Sequence, residues 1–289
     1  MFFTDIILCV DICLHKFGNT STQRCLLFAT SSDAVGCEEF ILKDFPIQQS
    51  IVIKALNFKI NHPTSPAHQM NELSTVTLYA VFMPQGQVGR ASKFFRHAGC
   101  CISTRFAEDL LKYAHVAAEV QSEKQIKELE RNEADTHLLE KIKQRIANLL
   151  ERGRQPNAQK VSSKDVFLFQ TGMAAHYFFT SLLSSWDEDS RPSWKGDTTV
   201  IFGFLYDSSV RLQREYSKDY IFYGFGSDEE LSELENFCIV RGGVKVVVCE
   251  CPSNPLLQTP DFGRLRKFAD RFVFLLVVEY VRIPRCEYL

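Results

Sequence analysis

Four short segments of this 289-residue chain carry side chains suited to chemistry. Thr171-Gly172-Met173-Ala174-Ala175 sets a glycine turn before an apolar run. If that run is a helix, the backbone N–H groups of Gly172 and Met173 and the helix dipole can cradle a phosphate, and a glycine lets the backbone approach closely. Read alone, the more ordinary meaning is a tight turn. Tyr206 follows the apolar run Thr198–Phe204 and either stacks on a flat ligand ring or fills a core. Glu250–Pro255 (ECPSNP) follows the run Val244–Cys249. The amide of Asn254 can hydrogen-bond a ligand hydroxyl, or the prolines simply stiffen a turn before a helix. Glu279 ends the run Phe272–Val278, where an unpaired carboxylate is costly. It requires a cation, from a ligand or from a neighbour such as Arg282.

To act together these residues must meet beyond the carboxyl ends of parallel strands. The pattern after Ser163 allows it. Val166–Phe169 is apolar and leads into the glycine turn, and an apolar helix follows through about Leu183. Strands are expected over Thr198–Phe204, Tyr220–Phe225, Val244–Cys249 and Phe272–Val278, alternating with helices over Asp207–Tyr216 and Ser227–Arg241. Ser227 with Glu230 has a capping-box pattern, and Gly242-Gly243 ends that helix. Thr259 caps a further helix with Pro260 at its first position. Strands that are apolar throughout, separated by helices, mean a mostly parallel sheet covered on both faces.

The first half reads differently. An amphipathic helix is expected over the opening MFFTDIILCVDIC, where Asp5 and Asp11 and the lack of a preceding basic residue argue against a signal peptide or membrane span. Strands follow at Arg24–Ala29, Gln49–Ile60 and Thr75–Phe82, with a helix near Ser32–Lys43 and a loop over Asn61–Asn71. Ala107–Arg152 lacks proline and glycine and reads as one long helix or two shorter ones. Ile126, Leu129, Leu139, Ile142, Ile146 and Leu149 can share one face, packed on the body. Gly153–Ser163, with Pro156 and Asn157, is the clearest linker, so domains are expected at 1–155 and 156–289. No internal repeat is found.

Composition excludes more than it assigns. Hydrophobic residues make up 45% and charged residues 24%, as in ordinary globular proteins, and a net charge of -2 leaves no basic footprint for nucleic acid. None of the ten cysteines forms a Cys-x-x-Cys zinc pair, and the chain is too core-rich for a disulfide scaffold. They read as small buried hydrophobes, Cys249 and Cys251 on one strand face, in a reducing cytoplasm. No metal site is expected.

Taken as a set, TGMAA, Gly203–Tyr206, ECPSNPLL and LLVVE resemble the Cys/Met-metabolism family of fold-type-I enzymes that use pyridoxal 5'-phosphate (PLP). The segments HKFGNTSTQRCLLFAT, YAVFMP, KFFRHAGCCISTR and IKQRIANLL are similar to the N-terminal region of its fungal cystathionine gamma-synthase branch. The resemblance implies an incomplete PLP-transferase fold of type I, its mostly parallel sheet flanked by helices and preceded by an α/β N-terminal region. It also implies that Gly172 and Met173 hold the cofactor phosphate, that Tyr206 stacks on the pyridine ring and that Asn254 contacts its phenolic oxygen. Glu279 stands where the family has the aspartate that partners the pyridinium nitrogen, and Arg105 stands for the arginine that reaches the phosphate of a neighbouring subunit.

The implied reaction is gamma-replacement, joining an activated homoserine ester to cysteine. The implied setting is a cytoplasmic homo-oligomer acting on small amino-acid substrates, with no nucleic acid or membrane partner. Homoserine-ester sulfhydrylation and cystathionine cleavage are the rival reactions. Two departures bear on the chemistry. Glutamate for aspartate extends the side chain by about 1.5 Å, and a misplacement of about 1 Å can cost on the order of a hundredfold in rate. No lysine follows Lys267, so the Schiff-base lysine of the family is missing from the expected catalytic set. The tail RIPRCEYL is unlike the family. A truncated, non-catalytic chain, or one that docks on an intact homologue through its sheet edge, is therefore the alternative expectation.

Overall fold

The computed structural model describes residues 4–43, 51–60, 74–120, 136–153, 158–186 and 196–280. The loop expected over residues 61–71, Ile126, Leu129, Pro156, Asn157, Arg282 and the tail with Cys286 lie outside them. The chain divides into two compact units, Met1–Thr171 and Gly172–Leu289, whereas composition placed the boundary at 155/156. The stretch before Thr171 hydrogen-bonds back into the first unit: the Val161 N–H donates to Glu151 at 2.8 Å, and the Thr171 hydroxyl to the Gly99 carbonyl at 2.9 Å. Such bonds do not show in composition.

In the first unit, α1 (Thr4–Phe17), β1 (Gln23–Phe28), α2 (Ser31–Leu42), β2 (Val52–Ile60), β3 (Ser74–Pro84), α3 (Val88–Ala98), α4 (Thr104–Tyr113), β4 (Ala118–Glu119) and α5 (Thr136–Leu150) follow in order. Its four-stranded sheet runs β1-β3-β2-β4 and is antiparallel throughout. Strand alternation sends Cys25, Leu27, Phe58 and Phe82 to one face, where they pack with Cys9 and Cys13 of α1 and Leu110 of α4. Phe28 points the other way, against Phe94 of α3. The stretch expected as one or two helices from Ala107 instead contains β4, which pairs with β2 at Leu56 and Asn57. On α5 the expected stripe packs only in part: Leu139 and Ile142 are exposed, Ile146 and Leu149 are half-buried, and Ala147 is buried.

The second unit follows the expected alternation. It comprises α6 (Gly172–Ser185), β5 (Thr198–Phe202), α7 (Asp207–Tyr216), β6 (Asp219–Tyr223), α8 (Asp228–Arg241), β7 (Val246–Cys251), α9 (Phe262–Phe272) and β8 (Leu275–Tyr280). The sheet order is β6-β5-β7-β8, and every pairing is parallel. Val200, Phe202, Val247 and Cys249 face Leu231, Leu234 and Cys238 of α8 and Leu265 and Phe268 of α9. Ile201, Val246 and Val248 face Leu183 of α6 and Val210 of α7. Both faces are thus covered, which is why these strands are apolar along their length.

Local signals explain most boundaries. Ser227 caps α8 by accepting the Glu230 N–H, and Gly242 ends the helix at φ +86°. The Glu230 carboxylate does not return to Ser227, as a full capping box requires; it accepts the N–H groups of Phe225 and Gly226. The cap of α9 is Asp261 rather than Thr259: the Asp261 carboxylate accepts the Arg264 N–H at 3.0 Å, and the helix begins at Phe262. Phe272 belongs to α9 rather than to the last strand, and Val273 closes the helix in the left-handed region at φ +57°. Val166–Phe169 forms no strand, and Phe167 is exposed.

The nine described cysteines are free, and seven are buried, as small hydrophobes should be. Among the described residues no cluster suits a metal ion, and no helix is long and apolar enough to cross a membrane.

Two glycines of the second unit should respond differently to alanine. Gly226 has φ +61°, and a Cβ there would stand 3.1 Å from the Gly203 Cα. Gly226→Ala should therefore destabilise by about 1–2 kcal/mol or more, from the left-handed penalty alone. At Gly172 a Cβ meets nothing within 4 Å, so Gly172→Ala should change stability by less than about 0.5 kcal/mol. Urea denaturation of both variants checks the contrast.

Candidate functional site

The strand order makes the site's position predictable from topology. From β5 the chain crosses through α7 to β6, on one side; from β6 it crosses back through α8 to β7, on the other side of β5. The connections after β5 and after β7 therefore part from each other, and the crevice between the carboxyl ends of these two strands is a topological switch point.

Tyr206 and Glu250 meet there. The chain leaves β5 through Gly203, at φ +89°, and Tyr206 takes the position just before α7. Its backbone N–H donates to Glu250 Oε2 at 2.8 Å, while the residue is 55% exposed. Tyr206 therefore does not fill the core. Glu250, near the end of β7, is buried at 4% exposure. Burial chiefly pushes its carboxyl above the usual carboxylate range, and the nearby Glu279 adds to this; the N–H groups of Tyr206 and Asn254 act in the opposite sense.

Glu279 lies one strand away and in register with Glu250. Ser209, on the first turn of α7, donates to Glu279 Oε2 at 3.1 Å, and His176 Nδ1 stands 3.8 Å from the same oxygen. Desolvation raises the Glu279 pKa, and the Ser209 hydroxyl only partly opposes that. His176 is buried, and desolvation lowers its pKa to about 4, so at neutral pH it is uncharged and is no counter-ion. Gln213 Nε2 lies 3.1 Å from His176 Nε2 and 2.8 Å from Thr180 Oγ1. An amide nitrogen can only donate, so Nε2 accepts, and the imidazole proton sits on Nδ1, toward Glu279. Among the described residues, Glu279 is thus held by neutral groups and paired with no lysine or arginine.

Helix α6 brings the glycine turn to the same end. His176 reaches the end of β8, whereas the carbonyls of Leu183 and Trp186 accept from Lys245 Nζ just before β7 begins. The helix therefore runs from the carboxyl ends of the strands toward their amino ends. Gly172 and Met173 open it, about one turn or 5–6 Å above His176. Their N–H groups belong to the first turn and lack helical partners.

Asn254 sits in the turn after β7 with its side chain exposed. Buried Ser253 organises that turn: its N–H donates to the Gln258 carbonyl at 3.0 Å, its carbonyl accepts the Leu257 N–H at 2.7 Å, and its hydroxyl accepts the Gln258 N–H at 3.1 Å. Beside the turn opens a cleft of about 270 Å³ lined by Gly203, Phe204, Phe225 and Glu250, among others. Arg105 belongs to the first unit, where it is exposed on α4.

Sequence reasoning had marked Glu279, Tyr206, Asn254 and the glycine turn. It missed the residues around them: Glu250 as an acceptor, Ser209 and His176 beside Glu279, and Gln213 behind His176. A buried glutamate opening the ECPSNP turn was the one available signal, because a carboxylate following an apolar run needs donors.

Residues 6–103 match the family model described as the fungal trans-sulfuration enzyme, N-terminal domain. An alanine racemase (ungC) of Aspergillus violaceofuscus is 27% identical over 292 aligned residues, covering 92% of this chain and 48% of the relative. The cystathionine gamma-synthase-like enzyme iboG2 of Amanita muscaria is 28% identical, covering 92% and 51%. A cystathionine gamma-synthase of Neurospora crassa is 23% identical, covering 91% and 54%. The chain thus spans about half the length of the curated relatives it matches.

The buried imidazole gives a signed pH dependence. With a folded pKa of about 4 against an ordinary 6.5, His176 refuses a proton that the unfolded chain accepts. Stability should fall as pH drops from about 6.5 to 4, by up to about 3 kcal/mol from this group. Denaturation of wild type and His176→Gln across that range should show a flatter profile in the variant.

Proposed function

We infer that this chain belongs to the fungal cystathionine gamma-synthase-like family and that the carboxyl-end face of its second unit is a seat for PLP. The observation that carries this reading is Glu279, a half-buried carboxylate with raised pKa whose described partners are a hydroxyl and a neutral imidazole. Such a group is costly unless a cation arrives, and a protonated pyridine ring is a cation of suitable shape. The other residues fit the same group. The open space at Gly172 leaves room for a phosphate on the first-turn N–H groups of Gly172 and Met173. The exposed Tyr206 ring can cover one face of a pyridine. The exposed Asn254 amide can donate to a phenolic oxygen.

When bound, PLP supplies an electron sink for breaking bonds at the substrate's α- and β-carbons. Glu279 keeps the proton on the ring nitrogen, and Ser209 and His176 orient the Glu279 carboxylate. The Gly172 and Met173 amides fix the phosphate end, with Arg105 of a neighbouring subunit as a proposed further contact. We assign the whole protein gamma-replacement between an activated homoserine ester and cysteine, with sulfhydrylation or cystathionine cleavage as rival outcomes. Cytoplasmic location and homo-oligomeric assembly are part of this proposal.

One observation favours a second reaction. The alanine racemase relative covers the same span at higher identity than the Neurospora synthase, so amino-acid racemisation belongs in the same assay. The last lysine of the sequence is Lys267, on α9. The residues at hand therefore propose a seat for the ring and phosphate, not a covalent anchor.

Pyridoxamine 5'-phosphate, which needs no lysine, tests the seat. Calorimetry should show saturable micromolar binding. Tyr206→Ala and Glu279→Ala should each weaken it about tenfold, equivalent to about 1.4 kcal/mol. No saturation up to millimolar ligand would overturn the reading.

A further inference from the structure

Glu250 has no role in the reading above, yet it is buried on the same face with a defined backbone partner. It is 4% exposed, near the end of a strand buried on both sides. The Tyr206 N–H donates to its Oε2 at 2.8 Å. Tyr206 starts the crossover from β5 to α7, whereas Glu250 lies on β7, whose own connection leaves the other way. The two connections part at the switch point, beyond the paired residues of β5 and β7. One carboxylate, anchored in β7, reaches across that crevice to hold the start of the other crossover. Its strand neighbour in register is Glu279, so the same anchor refers Tyr206 to the position of Glu279.

We propose that Glu250 is a positioning residue of this face, setting the Tyr206 ring against Glu279 through its hold on the Tyr206 backbone N–H. What the ring then contacts rests on the cofactor reading; the positioning itself does not. A carboxylate suits the task because its oxygens only accept. Alanine offers no acceptor, whereas glutamine keeps one oxygen that can take the same N–H.

Two readouts on the full chain separate the claims. In Glu250→Ala, amide hydrogen exchange at Tyr206 should accelerate at least tenfold relative to Leu234, inside α8. The affinity for pyridoxamine 5'-phosphate should fall about tenfold. Glu250→Gln should recover most of that affinity and keep the Tyr206 amide within about threefold of wild type. A merely structural role would lower stability without this ordered rescue of binding. Wild-type exchange at Tyr206 in Glu250→Ala would overturn the proposal. If that variant does not fold, Glu250→Met, which keeps the length without an oxygen acceptor, must speed exchange at Tyr206 at least threefold, and a wild-type rate there would overturn it. Accelerated exchange in a chain whose wild type binds no pyridoxamine 5'-phosphate would support the positioning and overturn the cofactor reading.

Discussion

A parallel sheet covered on both faces leaves no interior position where a polar side chain can be satisfied cheaply. From Val200 to Phe202 and from Val246 to Cys249 every strand side chain in the second unit enters one of two apolar layers. Polar chemistry is therefore displaced to the strand ends, and the winding of the chain concentrates it at one of them. The crossovers from β5 and β7 part at the carboxyl end. Tyr206, Glu250, Glu279 and the first turns of α6 and α7 meet there because the sheet excludes them from elsewhere.

The electrostatics of that end are one-sided. Glu250 and Glu279 stand in register on adjacent strands, and burial is the leading cause that raises both pKa values. Their neighbours are backbone N–H groups, one hydroxyl and an imidazole that burial keeps neutral. Raised carboxyl pKa values mean that the folded chain holds protons the unfolded chain has released, so these groups cost stability as pH rises past the ordinary carboxylate range. A cation at Glu279 reverses the sign of that contribution. The site is thus arranged to gain from a positively charged ligand, and the neutral tautomer of His176 allows the gain because it does not compensate Glu279 beforehand.

Much of this unit was legible in the sequence, because its signals are local. Asp207–Tyr216 was read to the residue, and the Ser227 cap and Gly242 stop bounded α8, since caps and left-handed glycines act within a few positions. The sequence reading places the cap of α9 at Thr259, and the structure uses Asp261, two positions on. Non-local features were out of reach. The two-residue strand β4 exists because β2 offers an edge at Leu56 and Asn57, which no window of sequence shows. The Glu250 bond to Tyr206 spans 44 positions and depends on register across the switch point. The resemblance to PLP enzymes named Glu279 and Tyr206 but was silent on what holds them.

The charge state of Glu279 is the most direct test of a cation seat. Carbon-13 NMR of the glutamate side-chain carboxyls, assigned with Glu279→Gln, can follow this residue as pyridoxamine 5'-phosphate is added. The expected result is a Glu279 carboxyl that titrates above the ordinary range in the free chain and moves to a lower pKa in step with ligand binding. Saturable binding that leaves the Glu279 signal and its titration unchanged would contradict the assignment of this face.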